Sequence, residues 1–526
     1  MDMKKIILFF AVSFIASWTY GQGEMDAFKL SGSDLSGSAR GVAMGGAFGA
    51  LGGDITGISQ NPAGIGVYRS SEVVTSLSLA SVNTETNTSE NIEKVDKLNF
   101  NFGNFAFIAY MPLSGDVKAF NFGFSYNRLK NFDRNYFAKG YNLTSSLTDY
   151  IAYFTTREAN VEPDDLYSYD NKDKYDPWPY EQGFPWISVL GYNGGLIVDN
   201  GHEYVSPLYD SETVDRKYFA SEEGYIDSYD FTMGANILDK LYLGLTVSLT
   251  EMRYGLKSLH TEEFELGGQC GLLNSLDTDG AGYQVSVGAI FRPIDEFRIG
   301  VAYHSPTWYN LSDFYSAATT ERTYSIDDDR IPKKTSTPND AATDYRFTTP
   351  DRWVVSFAGI LGKKAIISLD YEYSDYSKMN LKNINGLVDA GYKEQNGYIA
   401  EDFTRASTLK FGLEYKPIPQ LALRAGYSCM ESPLEKSFKN GDREVLPIGT
   451  ITAYTLDGNT NYYSYGAGFR FTPNFYMDLA FSFKTQTNYL YTYSPLYEDG
   501  LEVVAPIPSK FKNNATKGLL TLGYKF

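Results

Sequence analysis

The stretch "GAGYQVSVGAIFRPIDEFRIGVAYHSPT" (residues 280–307) consists of two alternating runs joined by a turn. Tyr283, Val285, Val287, Ala289 and Phe291 share one face, and Gln284, Ser286 and Gly288 share the other. Successive side chains of a strand point to opposite faces, so this pattern sets an apolar surface against a polar or small-residue surface. "PIDE" (293–296) is short enough to send the chain straight back as a hairpin. The same pattern recurs in "LYLGLTVSLT" (241–250), "YYSYGAGFRF" (462–471) and the final "LLTLGYKF" (519–526). A soluble sandwich alternates identically, so the connections have to discriminate.

The alternation predicts about fourteen strands, near 71–81, 98–112, 117–131, 223–236, 241–257, 280–293, 296–308, 344–361, 364–378, 405–417, 420–432, 459–472, 475–491 and 514–526. Every second connection is short: 113–116, 237–240, 293–296, 361–364, 416–420 and 472–474. The others read as long, polar and Tyr-rich, the largest running from about 131 to 222. That parity belongs to an all-β transmembrane antiparallel barrel with tight periplasmic turns and extended outer loops. An even strand number places the N- and C-termini together on the periplasmic side. Tyr303, Tyr427, Tyr489, Tyr491 and Tyr493 are expected at the outer strand ends, as an aromatic girdle.

The leader agrees with export. Lys4 and Lys5 precede an apolar run from Ile6 to Ile15, and Thr19-Tyr20-Gly21 has the small residues of a cleavage site, so residues 1–21 read as a signal peptide. No later run reaches the ~18 apolar residues of a membrane helix. A net charge of −18 excludes nucleic acid as a partner. Cys270 and Cys429 are too few for a disulfide scaffold, and their pairing stays open. His202, His260 and His304 lack metal-ligand spacing, and the adjacent His304 and Ser305 point oppositely on a strand, so no catalytic site, metal or cofactor is expected.

Residues 22–70 precede the barrel (71–526) and are rich in Gly and Ala, with little charge. Such a segment builds no core of its own, and a barrel of about fourteen strands has a lumen wider than side chains fill. It is therefore expected to fold inside the barrel as a hatch. "DAFKLSGSDLSGSARGVAMGGAFGALGGDITGISQNPAGIG" (26–66), with "FTTPDRWVVSFAGIL" (347–361) and "STLKFGLEYKPIPQLALRAGYSCMESP" (407–433), resembles the FadL/TodX family of outer-membrane transporters for long-chain fatty acids and aromatic hydrocarbons. The resemblance implies that Asn61, Pro62, Ala63 and Gly64 form the hatch element of the gate. It also implies passive, hatch-gated passage of a hydrophobic small molecule, with sideways exit into the bilayer. The protein is then a monomer in the outer membrane of a Gram-negative bacterium, with membrane lipid as its other partner. Gln60 departs from the aromatic that often precedes this element in the family.

"LNFNFGNFAFIAYM" (98–111) breaks its own phase. Either Phe105, Phe107 and Met111 face inward and line a ligand site, or a bulge at Gly103-Asn104 flips the register and leaves them facing lipid. Asp370, Glu372, Lys410, Glu414, Arg424, Arg470, Asp478 and Lys484 are read as inward charges, most of them in structural ion pairs that hold the hatch or fill the wet lumen, with Arg424 the cation to test first for a ligand carboxylate. The alternative function is a binding or adhesion protein that acts through its large outer loops.

Overall fold

In the computed structural model, residues 23–526 are described apart from 160, 164–165, 167, 170–174, 177–183, 210–211, 327–332, 338–340, 363, 440–442, 446–448 and 499. The expected signal peptide thus lies outside the described residues. Fourteen strands close into an antiparallel barrel. They are β1 (Glu72–Thr88), β2 (Asn91–Pro112), β3 (Val117–Asn131, continued by Arg134–Leu143), β4 (Val214–Ile237), β5 (Leu241–Phe264), β6 (Gln269–Ile294) and β7 (Phe297–His304, continued by Trp308–Thr319). There follow β8 (Ala341–Thr348 with Arg352–Leu361), β9 (Ala365–Asp375 with Asn380–Asn383), β10 (Arg405–Ile418), β11 (Leu421–Met430), β12 (Tyr454–Leu456 with Thr460–Arg470), β13 (Phe475–Tyr491) and β14 (Ser509–Lys525). β14 pairs with β1 from Lys525↔Glu72 to Lys510↔Asn87, which closes the sheet on itself as a barrel.

The phase read from sequence sets the two faces. Tyr283, Val287, Phe291, Tyr465 and Leu522 are exposed on the outer wall, and Ser286, Ser464 and Thr521 are buried within. All six short connections are present, but the opposite ends differ from expectation. β1 and β2 meet at a tight turn in which Ser89 (φ 46) and Glu90 (φ 74) are left-handed, and β5 and β6 are joined through 265–268. What reads as loop is strand: β4, β5 and β6 run for 24, 24 and 26 residues, against roughly 9–11 needed to cross a bilayer. The wall therefore stands well clear of the membrane. On this rim the 131–222 region supplies the β3 continuation and the helices Leu147–Tyr153 and Trp186–Asn193, which pack with Cys270, Leu272 and Tyr493 into a cap core. Tyr491 and Tyr493 are buried in the outer structure, so they leave the expected girdle; Tyr303 and Tyr427 keep outward positions, their rings tilted against Trp353 and Tyr463. Cys270 and Cys429 are both free thiols.

Residues 23–70 fill the lumen. Helix α1 (Glu24–Ser31) lies at the long-loop end, where Phe28 meets Phe403 (ring centroids 5.3 Å) and Tyr376 (6.1 Å). The chain then descends through α2 (Ala39–Ala43), α3 (Ile55–Gln60) and a 3-10 turn (Pro62–Val67) to β1. At the short-turn end, the Phe526 N–H donates to the Ser71 carbonyl (2.9 Å). The two ends of the barrel, at Glu72 and Lys525, thus share the short-turn end, while the described residues ahead of β1 climb the lumen to Gly23 at the long-loop end.

Candidate functional site

The hatch holds its shape through polar ties, since its Gly- and Ala-rich sequence offers few large side chains. Ser38 caps α2 by accepting from the Gly41 N–H (3.0 Å) and donates its hydroxyl proton to Asp54 (2.7 Å). Asp54 in turn caps α3 through the Thr56 N–H (2.9 Å), and the Thr56 hydroxyl accepts from the Ser38 N–H (2.9 Å). Asn61 ends α3 and starts the 3-10 turn, its Oδ1 accepting from the Ala63 N–H (3.0 Å). Its Nδ2 donates to the carbonyls of Gly49 (2.8 Å) and Ala289 (3.2 Å), joining two parts of the hatch to β6.

The wall is notched to receive this element. A Cβ on Gly288 would sit 1.9 Å from Asn61 Oδ1, and one on Gly244 2.2 Å from the Pro62 carbonyl carbon. Ala63 and Gly64 are buried behind them. Asn61, Pro62, Ala63 and Gly64 are thus brought together against β5 and β6, as a fixed plug-to-wall joint.

Nearer the short turns, Arg40 of α2 donates to Glu414 (2.9 Å), and Arg424 donates to Glu414 (2.7 Å) and Asp478 (2.6 Å). These are the structural ion pairs expected for most of the inward charges: Arg424, singled out for a ligand carboxylate, is already paired with two protein carboxylates, and Arg40 ties the hatch to the wall by sharing Glu414 with it.

Of the two readings of Phe105, Phe107 and Met111, the structure shows the bulge, so their assignment to an inward ligand site is corrected. They are exposed on the outer wall, whereas Asn104, Ala106 and Ile108 face inward. The cause is a bulge: Leu77 pairs with Phe102 but Ser76 with Asn104, so Gly103 is the extra residue and every side chain after it changes face. Beyond the bulge the wall itself is incomplete. β2 pairs with β3 only from Pro112↔Ala119 to Asn104↔Asn127, yet both strands continue past that point. Side chains replace the ladder, with Arg128 donating to Asn101 (3.0 Å), Lys97 facing Asp133 (3.6 Å) and the Thr84 hydroxyl donating to the Asn135 carbonyl (2.6 Å).

Behind this break lies a cavity of ≈ 110 Å³, bounded by Ala80, Gly103, Leu129, Lys517, Leu519 and the hatch at Asp34–Gly37. Two others adjoin it. One of ≈ 180 Å³ opens beneath α1, beside Phe28, Phe132 and Tyr454. The other, of ≈ 190 Å³, is lined by hydroxyls including Ser248, Thr250, Ser286 and Thr408. Asp34 borders all three. Burial alone would raise its carboxyl, but Lys484 and Lys130 outweigh that and hold it down at about 2. Sequence reasoning missed Asp34 and Lys517, although counting back in twos from the inward Thr521 leads to Leu519 and Lys517.

The chain and its fold have counterparts among known proteins. Residues 229–515, over half of the chain, match the family described as outer membrane protein transport protein (OMPP1/FadL/TodX). The chain belongs to the OMPP1/FadL/TodX family. This is a family of outer-membrane transport channels of Gram-negative bacteria, for hydrophobic compounds, and not of enzymes. The fold is also that of a crystal structure of a Pseudomonas aeruginosa FadL homologue, at TM-score 0.54 and 13% identity over 94% of this chain and 99% of that one. The Pseudomonas putida toluene transporter TodX gives TM-score 0.49 at 12% identity, over 94% of this chain and 99% of that one. Outer membrane protein P1 of Haemophilus influenzae is 23% identical over 202 residues, and the match spans 38% of each of the two chains.

Proposed function

We propose that this OMPP1/FadL/TodX member passes hydrophobic small molecules, long-chain fatty acids or similar lipids and aromatics, inward as a monomer without an energy source. The ligand enters at the long-loop end beneath α1, moves along the hatch, and leaves sideways between β2 and β3 into the bilayer. The observation that carries this reading is the break in the β2–β3 ladder above Asn104↔Asn127, with a cavity directly behind it. Sideways exit has a plain advantage: release into the periplasm would expose the ligand to water at about 0.8 kcal/mol per CH₂. The axial route is blocked by the hatch, which is seated on Gly244 and Gly288.

Gly103 lines the cavity at the break. Uptake of labelled oleate and toluene into liposomes containing the full-length protein tests the route. A Gly103→Phe variant, which fills the window, is expected to cut uptake of both about tenfold, with heat-modifiable migration on gels retained as a check of folding. Undiminished uptake by a folded variant would remove the sideways exit from the account.

A further inference from the structure

Each of the three cavities is smaller than the ~300 Å³ at the low end of ordinary ligand sites, so a ligand of that size has to occupy more than one. The divider between them is the hatch strand around Asp34. Asp34 is held there chiefly by charge: Oδ1 accepts from Lys484 Nζ (3.1 Å) and from the Tyr462 hydroxyl (3.1 Å), and Oδ2 accepts from the Asn131 N–H (3.3 Å). Its backbone adds one bond, from the Asp34 N–H to the Leu129 carbonyl (2.9 Å).

The cations around it outnumber it. Lys130 donates to the Lys29 carbonyl (2.5 Å), and Lys517, on the inner face of β14, has no hydrogen-bond or ion-pair partner among the described residues while bordering the same cavity. Arg128 and Arg134 also border it, but they are tied to Asp227 and Glu222. Three ammonium groups therefore face Asp34, with Asp457 the further carboxylate acting on Lys130 and Asp133 turned to Lys97, inside a chain whose net charge is −18. A surplus of cations in a partly apolar cavity is a site for an acidic headgroup with a hydrocarbon chain attached.

We propose that Asp34 is the hatch's own occupant of an anion site formed by Lys130, Lys484 and Lys517, and that the acidic headgroup of an incoming amphiphile takes its place. The exchange frees residues 32–37 and joins the three cavities into one chamber. Charge is conserved in the step: the ligand anion gains the lysines that Asp34 gives up, so the hatch strand is released without leaving a buried cation unpaired. A neutral hydrocarbon cannot make this exchange; it occupies the cavities with the divider in place. The inference rests on the transport reading above and adds to it a ligand-specific trigger.

The test uses full-length protein in lipid nanodiscs, with oleate and oleyl alcohol as probes that share a chain and differ in headgroup charge. Asp34→Asn, which removes the competitor, is expected to strengthen oleate binding roughly tenfold and to leave oleyl alcohol unchanged. Lys517→Met is expected to weaken oleate binding alone. Oleate, and not oleyl alcohol, should speed hydrogen exchange in residues 32–37 of the wild type. Equal effects of Asp34→Asn on both probes, or none on oleate, would overturn the exchange while leaving transport standing. If the wild type binds neither probe, the transport reading falls and the exchange with it.

Discussion

Asn61 shows how much one side chain can organise. It is buried at 1% exposure and satisfies the Ala63 N–H and the carbonyls of Gly49 and Ala289. Asn61→Ala leaves these groups without partners inside the wall, at about 1–3 kcal/mol for each buried group left unsatisfied. The expected outcome is hydrogen exchange in residues 49–66 faster by at least about tenfold, with the strands unaffected; unchanged exchange would show that the joint is held elsewhere. Asn-Pro-Ala was legible through the family resemblance alone; the structure adds its local job, an N-cap followed by a proline at the first helical position. Arg424 was legible only in part. Period two told which way it points and that ion pairs were to be expected, but not that Glu414 and Asp478 are the partners that hold Arg424.

At the scale of the element, alternation fixed the faces of the strands and failed at two kinds of place. One is the bulge at Gly103, where alternation named the break but left two readings open, because a single extra residue reverses the meaning of everything after it. The other is the strand above the bilayer. Residues 82–97 alternate between polar residues on both faces, so no apolar face marks them, and the β1–β2 hairpin read as a loop. Helix α1 was not legible at all as a rim element, because its position depends on Phe28 finding Phe403 and Tyr376 far along the chain.

That docking makes a prediction about pH. Burial first, and then the Asp402 carboxylate, raise the Glu24 carboxyl above the ordinary range, against the pull of Arg443; Tyr454 is the other titratable group facing it. Burial raises Asp26 of the same helix too, against Lys29. A carboxyl raised by folding contributes its full stabilisation below the ordinary carboxylate range and loses it as pH climbs through the raised value. Hydrogen exchange of Glu24–Ser31, corrected for intrinsic rate, is therefore expected to quicken with rising pH, and Glu24→Gln to flatten that dependence. Protection that grows with pH would contradict the assignment.

Seen whole, the molecule is a tube closed at its middle by its own N-terminus and roofed at one rim by a cap. The cap core draws on residues from 143 to 204 and on strand ends as distant as Tyr493, contacts between stretches so far apart that local pattern reading has no access to them. The barrel was legible because a membrane wall repeats one rule fourteen times, whereas each contact in the cap and hatch is made once. The asymmetry of the tube carries the function assigned to it: the notched side at β5 and β6 anchors the hatch, and the side at β1–β3 lacks a complete ladder. The most direct test is to let a diazirine-bearing fatty acid cross the reconstituted full-length protein, irradiate, and map the adducts. The account predicts labels on both sides of the opening, at Ala80, at Gly103 and Leu519 and on the outward Phe102 and Phe105. Labels running down the short-turn end of the lumen, around Arg69 and Asp239, with none at the β2–β3 break, would contradict it.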